Sequence, residues 1–180
     1  MKFLAIGFAV GLGGAAYAAE PPAAAAPTLN DPQIATVALT AHEIDIERGK
    51  FAQTKVKTRE VREFADQMVN DHEAGKKEVL ALATKLNVKP EESAVTKSLK
   101  EGAAKTKAEL KKLKGAAFEK AYIDAEIAYH HAVIDALNKV LIPQAKNDEV
   151  KQALVNTVPT LESHLYHAKN VSAFIAKQRS

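Results

Sequence analysis

Beyond residue 31 apolar side chains recur every three to four positions over long stretches with little Gly or Pro between them, the mark of helices that bury one face. The periodicity predicts four long helices at about 32–54, 58–87, 115–142 and 147–176, with a shorter one at 92–113 between the second and third. The punctuation agrees with these limits. Asn30 or Asp31 can cap the first helix with Pro32 in its first turn, Thr58 opens the second, and the run from Asn87 to Pro90 ends it. Pro143 closes the third, and Asn147 or Asp148 caps the fourth. Pro159 falls inside that last helix, where its missing N–H should produce a kink. The prediction is an all-α fold, a four-helix bundle with a long helical crossover between helices two and three.

Winding each helix at about 100° per residue assigns the faces. The second has a continuous seam of Val61, Ala65, Met68, His72, Gly75, Val79, Leu82 and Leu86, so His72 points into the core. On the third, Glu126 lies near the centre of the apolar arc with His130 one turn on, whereas His131 lies on the opposite face. On the first, Asp45 falls among Ile34, Val37, Ala41, Ile44 and Ala52, with His42 on the flank. On the fourth, His164 sits on the shoulder of the apolar arc and His167 further round.

These groups also share a level. Asp45 lies twelve residues before Lys57 and His72 fifteen after it; His130 lies sixteen before Lys146 and His164 eighteen after it. At 1.5 Å per residue, partners within each hairpin differ in height by only about 3 to 5 Å. Burying such carboxylates and imidazoles without compensation costs several kcal/mol. Three readings follow: a metal site, a self-satisfied polar layer, and a pocket for an organic ligand. The candidate metal ligands are His72, Glu126, His130 and His164, with Asp45 and His167 as additions. Such nitrogen and oxygen donors suit a divalent transition metal (Zn, Cu, Ni or Fe) without choosing among them.

Composition narrows the setting. The 180 residues have no Cys, which removes thiolate metal sites, disulfides and a Cys nucleophile. Residues 1–19 combine Lys2, an apolar run from Phe3 to Leu12 and small residues ending in Ala16-Tyr17-Ala18, as a secretory signal peptide does. Residues 20–31 read as a disordered Pro/Ala tether, leaving 32–176 as the bundle domain. The expected product is exported, periplasmic or associated with the outer membrane, with no transmembrane span in the mature chain. A formal charge of +3 is too small to imply a nucleic-acid partner. Between Thr96 and Lys114, seven Lys face only Glu101 and Glu109. This basic crossover is a solvated face or a peripheral contact with an anionic envelope surface.

The stretches DIERGKFAQTK (45–55), VREFADQMVNDH (61–72), LKGAAFEKAYIDAEIAYHHAVIDAL (113–137) and HLYHAK (164–169) are distinctive in combination. They resemble the exported bacterial family known as domain of unknown function 4142, which is grouped with ferritin-like proteins. The resemblance implies a ferritin-like bundle. It carries the family's recurring positions onto Asp71, His72, Glu126, Tyr129, His130, His164 and His167, while His42 and His131 stand where the family more often has Asn and Gln. A di-iron centre needs Glu three residues before its His. Here those positions hold Val69, Ile127 and Leu161. The expected role is therefore binding of a metal or small ligand in the envelope, connected with stress or metal handling. The alternative is a structural or interaction protein that catalyses nothing and uses the basic crossover as its contact.

Overall fold

The computed structural model describes residues 27–178, and the described residues are helical throughout apart from short turns. The helices are α1 (Asp31–Gln53), α2 (Arg59–Lys85), α3 (Ala94–Lys112), α4 (Gly115–Ala136), α5 (Ile142–Gln144) and α6 (Asp148–Lys177). A π-helical turn, Leu137–Leu141, joins α4 to α5. Of the long helices, α1 pairs with α2 and α4 with α6; α2 then meets α6, and α3 lies along α1. Among these helices none is long and apolar enough to cross a membrane. The signal-peptide reading of residues 1–19 lies outside the described residues, as does most of the tether.

The helix starts follow local hydrogen-bond chemistry. Asn30 forms a capping box with Gln33, each side chain bonding the other's backbone N–H. Ser93 caps α3 and Asn147 caps α6. Thr58 opens α2 without capping it. Its hydroxyl donates instead to Glu119 at 2.6 Å, and the same carboxylate accepts the N–H groups of Lys57 (2.7 Å) and Thr58 (2.9 Å). At the opposite end Asp31 accepts the N–H groups of Lys146 and Asn147, both at 2.9 Å.

Two sequence expectations need correction. Residues 27–31 are part of the fold rather than tether. Leu29 is buried, its N–H donates to Gln144 at 2.6 Å, and the Pro27 carbonyl accepts from the same amide. Pro143 does not simply stop a helix, because the π turn before it shifts the bonding to five residues, with Ile142 N–H donating to the Leu137 carbonyl. The wider turn accommodates a ring that would otherwise collide with the carbonyl four residues back. Helix α6 runs as one element from Asp148 to Lys177 with Pro159 inside it, as the sequence places it.

The core has two parts. Near the α1–α2 turn, Phe64, Met68, Phe118, Tyr122 and Ile123 are sealed from solvent, each contributing about 1.5–3 kcal/mol by burial. Gly49 lets α1 and α2 close there, since a Cβ on it would stand 2.8 Å from Val69 Cγ2. Toward the other end, Ile34, Val37, Leu137, Leu141, Leu154 and Leu161 form a second cluster. The predicted α2 seam does not reach it as core. Every buried residue of α2 lies at or before His72, and Val79, Leu82 and Leu86 are only half-buried. Between the two clusters lies a layer of polar side chains.

Candidate metal centre

One long helix supplies each part of the layer: α1 Asp45 and Arg48, α2 His72, α4 Glu126 and His130, α6 His164. Every one of them is buried. Five of the predicted residues thus meet, from four helices, because their heights match. His164, expected on a shoulder, is 1% exposed.

The histidine part has a consistent order. His130 Nδ1 lies 2.9 Å from the Glu126 carbonyl. A carbonyl only accepts, so the proton is on Nδ1 and Nε2 keeps its lone pair. His164 Nε2 lies 2.9 Å from the Asp71 carboxylate, which likewise leaves Nδ1 with a lone pair. His72 Nδ1 meets His42 Nδ1 at 3.0 Å, and where His72 is the donor its Nε2, 3.4 Å from Asp45 Oδ2, keeps a lone pair as well. Each ring is held through one nitrogen by an outer partner. The remaining nitrogens, His72 Nε2, His130 Nε2 and His164 Nδ1, are buried without a hydrogen bond among the described residues. A ring nitrogen of each histidine lies within 4.8 Å of one from each of the others. Two ligands of one ion, bound at about 2.1 Å, stand at most about 4.2 Å apart, so modest side-chain adjustment brings them onto a metal.

Burial keeps His72 and His130 neutral, the form that coordinates. It lowers His72 to about 2, helped by the neighbouring histidines, and lowers His130 to about 4. His42 is lowered to about 4, chiefly by burial. The His42 ring has space because Gly75 faces it; a Cβ there would stand 2.5 Å from His42 Cε1. The ring expected on the flank of α1 is thus the anchor of His72.

The carboxylate part is compensated by charge rather than by hydrogen bonds, since Asp45 Oδ1, both Glu126 carboxylate oxygens and Arg48 Nη1 are also buried without one among the described residues. Arg48, which the sequence reading did not single out, places Nη1 3.3 Å from Glu126 and 3.6 Å from Asp45. Its guanidinium carbon sits 4.5 Å from the centre of the Tyr129 ring, and the Tyr129 hydroxyl donates to the Ala41 carbonyl. Burial, then the Glu126 charge, holds the Asp45 carboxyl well above its usual range. Burial also raises Glu126, and Arg48 opposes that rise. Asp45 therefore keeps its proton, and Glu126 is the ionised partner of Arg48. Asp45, Glu126 and His130 also come close enough to hold a cation. The guanidinium already fills that role, and a second positive charge beside it would be repelled.

The other predicted residues are elsewhere. His167 lies outside the layer, with Nδ1 2.7 Å from Gln67 and its ring against Phe64. His131 is exposed. Asp71 and Tyr129 support the layer as partners of His164 and Arg48. Arg48 carried a sequence signal, standing three residues after Asp45 and four after Ile44 on the same arc.

No curated protein and no solved structure matches this chain. The model of a domain of unknown function, DUF4142, matches residues 16–171. That match covers both hairpins, the crossover and every residue of the polar layer, so the chain belongs to the DUF4142 family.

Proposed function

We propose that this chain is an exported, ferritin-like four-helix bundle, periplasmic or associated with the outer membrane, that binds one divalent transition metal through His72, His130 and His164. The observation that carries the reading is three buried imidazoles, each anchored through one nitrogen and each left with the other unpaired. Anchoring the outer nitrogen orients the ring and fixes its tautomer, as around protein-bound metals. Leaving three buried ring nitrogens without a hydrogen bond costs about 1–3 kcal/mol each, and a metal removes that cost. Three neutral ligands with an open position suit Zn, Cu, Ni or Fe. Asp45 and Glu126, engaged with Arg48, serve as structural neighbours rather than ligands. The role is binding, in metal handling or envelope stress, and no reaction is assigned.

Arg48 gives a second reading its own support: a structural or interaction protein whose polar layer stabilises itself. On that reading the lysines of α3 supply the contact with an anionic surface. Lys97, Lys105, Lys111 and Lys112 are exposed there, while Lys107 pairs with Glu47.

Calorimetry on untagged, chelator-stripped protein separates the two. A metal present at 100 times its dissociation constant adds about 2.7 kcal/mol, which raises the melting temperature by roughly 5–10 °C for a domain of this size. His72→Ala should abolish the rise and His131→Ala should keep it. If Zn, Cu, Ni and Fe all leave the melting temperature unchanged, the metal reading fails and the structural one stands.

A further inference from the structure

Directly against the histidine layer, on the side away from the α1–α2 turn, lies a cavity of about 750 Å³. Its origin is visible in the sequence. Ala38, Ala41, Ala83, Ala136 and Ala153 face it from all four long helices, so the backbones are held apart by side chains too short to meet. Its walls are hydrocarbon, including Val79, Leu82, Leu86, Val133, Leu154 and Leu161. Here α2 carries its apolar seam past His72 without becoming buried, and α6 presents Asn156, Thr157 and Thr160 alongside Leu154 and Leu161. The cavity opens in part to solvent past exposed Glu78, Ala132 and Asn156, so its apolar walls stay in contact with water unless a ligand covers them.

We propose that the cavity is a binding site for an uncharged, elongated aliphatic molecule with one polar end, the class of a long-chain alcohol. The volume falls within the range of sites built for small molecules. At about 30 Å³ for each water-sized group, a chain of 12 to 18 carbons occupies roughly half to three-quarters of it. Length fits as well: the lined stretch of α2 from Asp71 to Leu86 rises about 22 Å at 1.5 Å per residue. Charge selects a neutral ligand. The described residues that line the cavity include Asp71 and Glu78 but no Lys or Arg, so an anionic head finds no cation and meets acidic groups. Polar recognition falls to the floor, where His72, His130 and His164, all cavity-lining and nearly sealed from solvent, hold the unpaired nitrogens. A hydroxyl there gives one of them a hydrogen bond. The site is defined by its carbon walls and works without a metal, so it is tested on metal-free protein.

The chain starting at Glu20, kept in chelator, is titrated with dodecan-1-ol and with dodecanoate at pH 8, following displacement of a fluorescent apolar dye and the mass of the complex. Dodecanol should bind one to one and saturably, with dodecanoate at least tenfold weaker. Ala38→Phe on α1 and Ala136→Phe on α4 fill the cavity from separate walls, and each should weaken dodecanol at least tenfold while retaining the helical signal. As a check that needs no variant, dodecanol should slow amide exchange over residues 79–86 at least tenfold. Absence of saturable binding, unchanged binding in a folded filling variant, or unchanged exchange overturns the proposal. Equal affinity for dodecanoate overturns the neutral-ligand assignment. Pro27 also lines the cavity. Should a chain beginning there bind dodecanol at least tenfold more tightly than the chain from Glu20, the preceding segment is the occupant instead.

Discussion

Replacing Arg48 with Met tests whether the carboxylate half of the polar layer is held by one buried cation. Arg48 is 9% exposed, with Nη1 3.3 Å from a Glu126 oxygen that is itself sealed from solvent. At an effective dielectric of about 20, that separation corresponds to an attraction of about 5 kcal/mol, offset by the desolvation of both ions. Met keeps much of the stem's volume and removes the charge, leaving Glu126 ionised and uncompensated or forcing it to take up a proton. Breaking a buried pair in this way costs about 3–5 kcal/mol. Against a total stability of about 5–15 kcal/mol the loss is large. With a urea dependence of about 2 kcal/mol per molar, the midpoint of unfolding should fall by roughly 2 M in chelated protein at pH 7. Adding Glu126→Gln to Arg48→Met should recover part of the loss, because the stranded charge is then gone. If Arg48→Met shifts the midpoint by less than about 0.3 M, the guanidinium is not what compensates the carboxylates, and the division of the layer into two parts is wrong.

Two more outcomes follow from the same layer. His42, His72 and His130 bind protons more weakly folded than unfolded, so their stabilising contribution is complete above about pH 6.5 and is lost as the pH falls towards 4. Asp45 and Glu126, both raised by burial, act in the opposite sense, so chelated protein should lose stability on balance, by at most about 3 kcal/mol per pH unit, between pH 6 and 4.5. Urea midpoints that stay level from pH 7 to 5 would contradict the neutral imidazoles. His130→Leu should cost about 1–3 kcal/mol while exposed His131→Leu stays within about 0.5, and equal losses in thermal melts would place both rings in the same environment.

Helix periodicity made the layer readable because it reports direction, and counting from the turns reported height. Together they placed His72, His130, His164, Asp45 and Glu126 at one level, where the structure has them. The same counting shows that Arg48 belongs on the inward arc of α1, but its charge made it resemble a surface residue. Only the distance to Glu126 on another helix reveals its partner. The cavity was illegible for a different reason. Val79, Leu82 and Leu86 continue the spacing of Val61, Ala65 and Met68 without a break, and spacing does not report what stands opposite. Burial of the second set depends on the helices across the cavity, where α6 presents Asn156, Thr157 and Thr160 as well as Leu154 and Leu161. Helix α1 likewise buries more than one face, with Thr36, Leu39 and Thr40 covered as well as its main arc, because the crossover helix packs along it. A single amphipathic stripe could not foretell this.

The carboxylates of Glu119 and Asp31 have a consequence for alignment. Each clasps the turn of the hairpin to which it does not belong: Glu119 on α4 holds the α1–α2 turn, and Asp31 on α1 holds the chain entering α6. Two helical hairpins packed through greasy faces can slide along each other, and a slip of one turn moves side chains by about 5.4 Å. Such a slip would set His72 against leucines and His130 against aromatic rings, and no common centre would exist. Clasps at opposite ends of the molecule fix the axial register, because sliding in either direction breaks hydrogen bonds at both. The meeting of imidazoles at mid-height is therefore set by two acidic side chains placed as far from it as the fold allows.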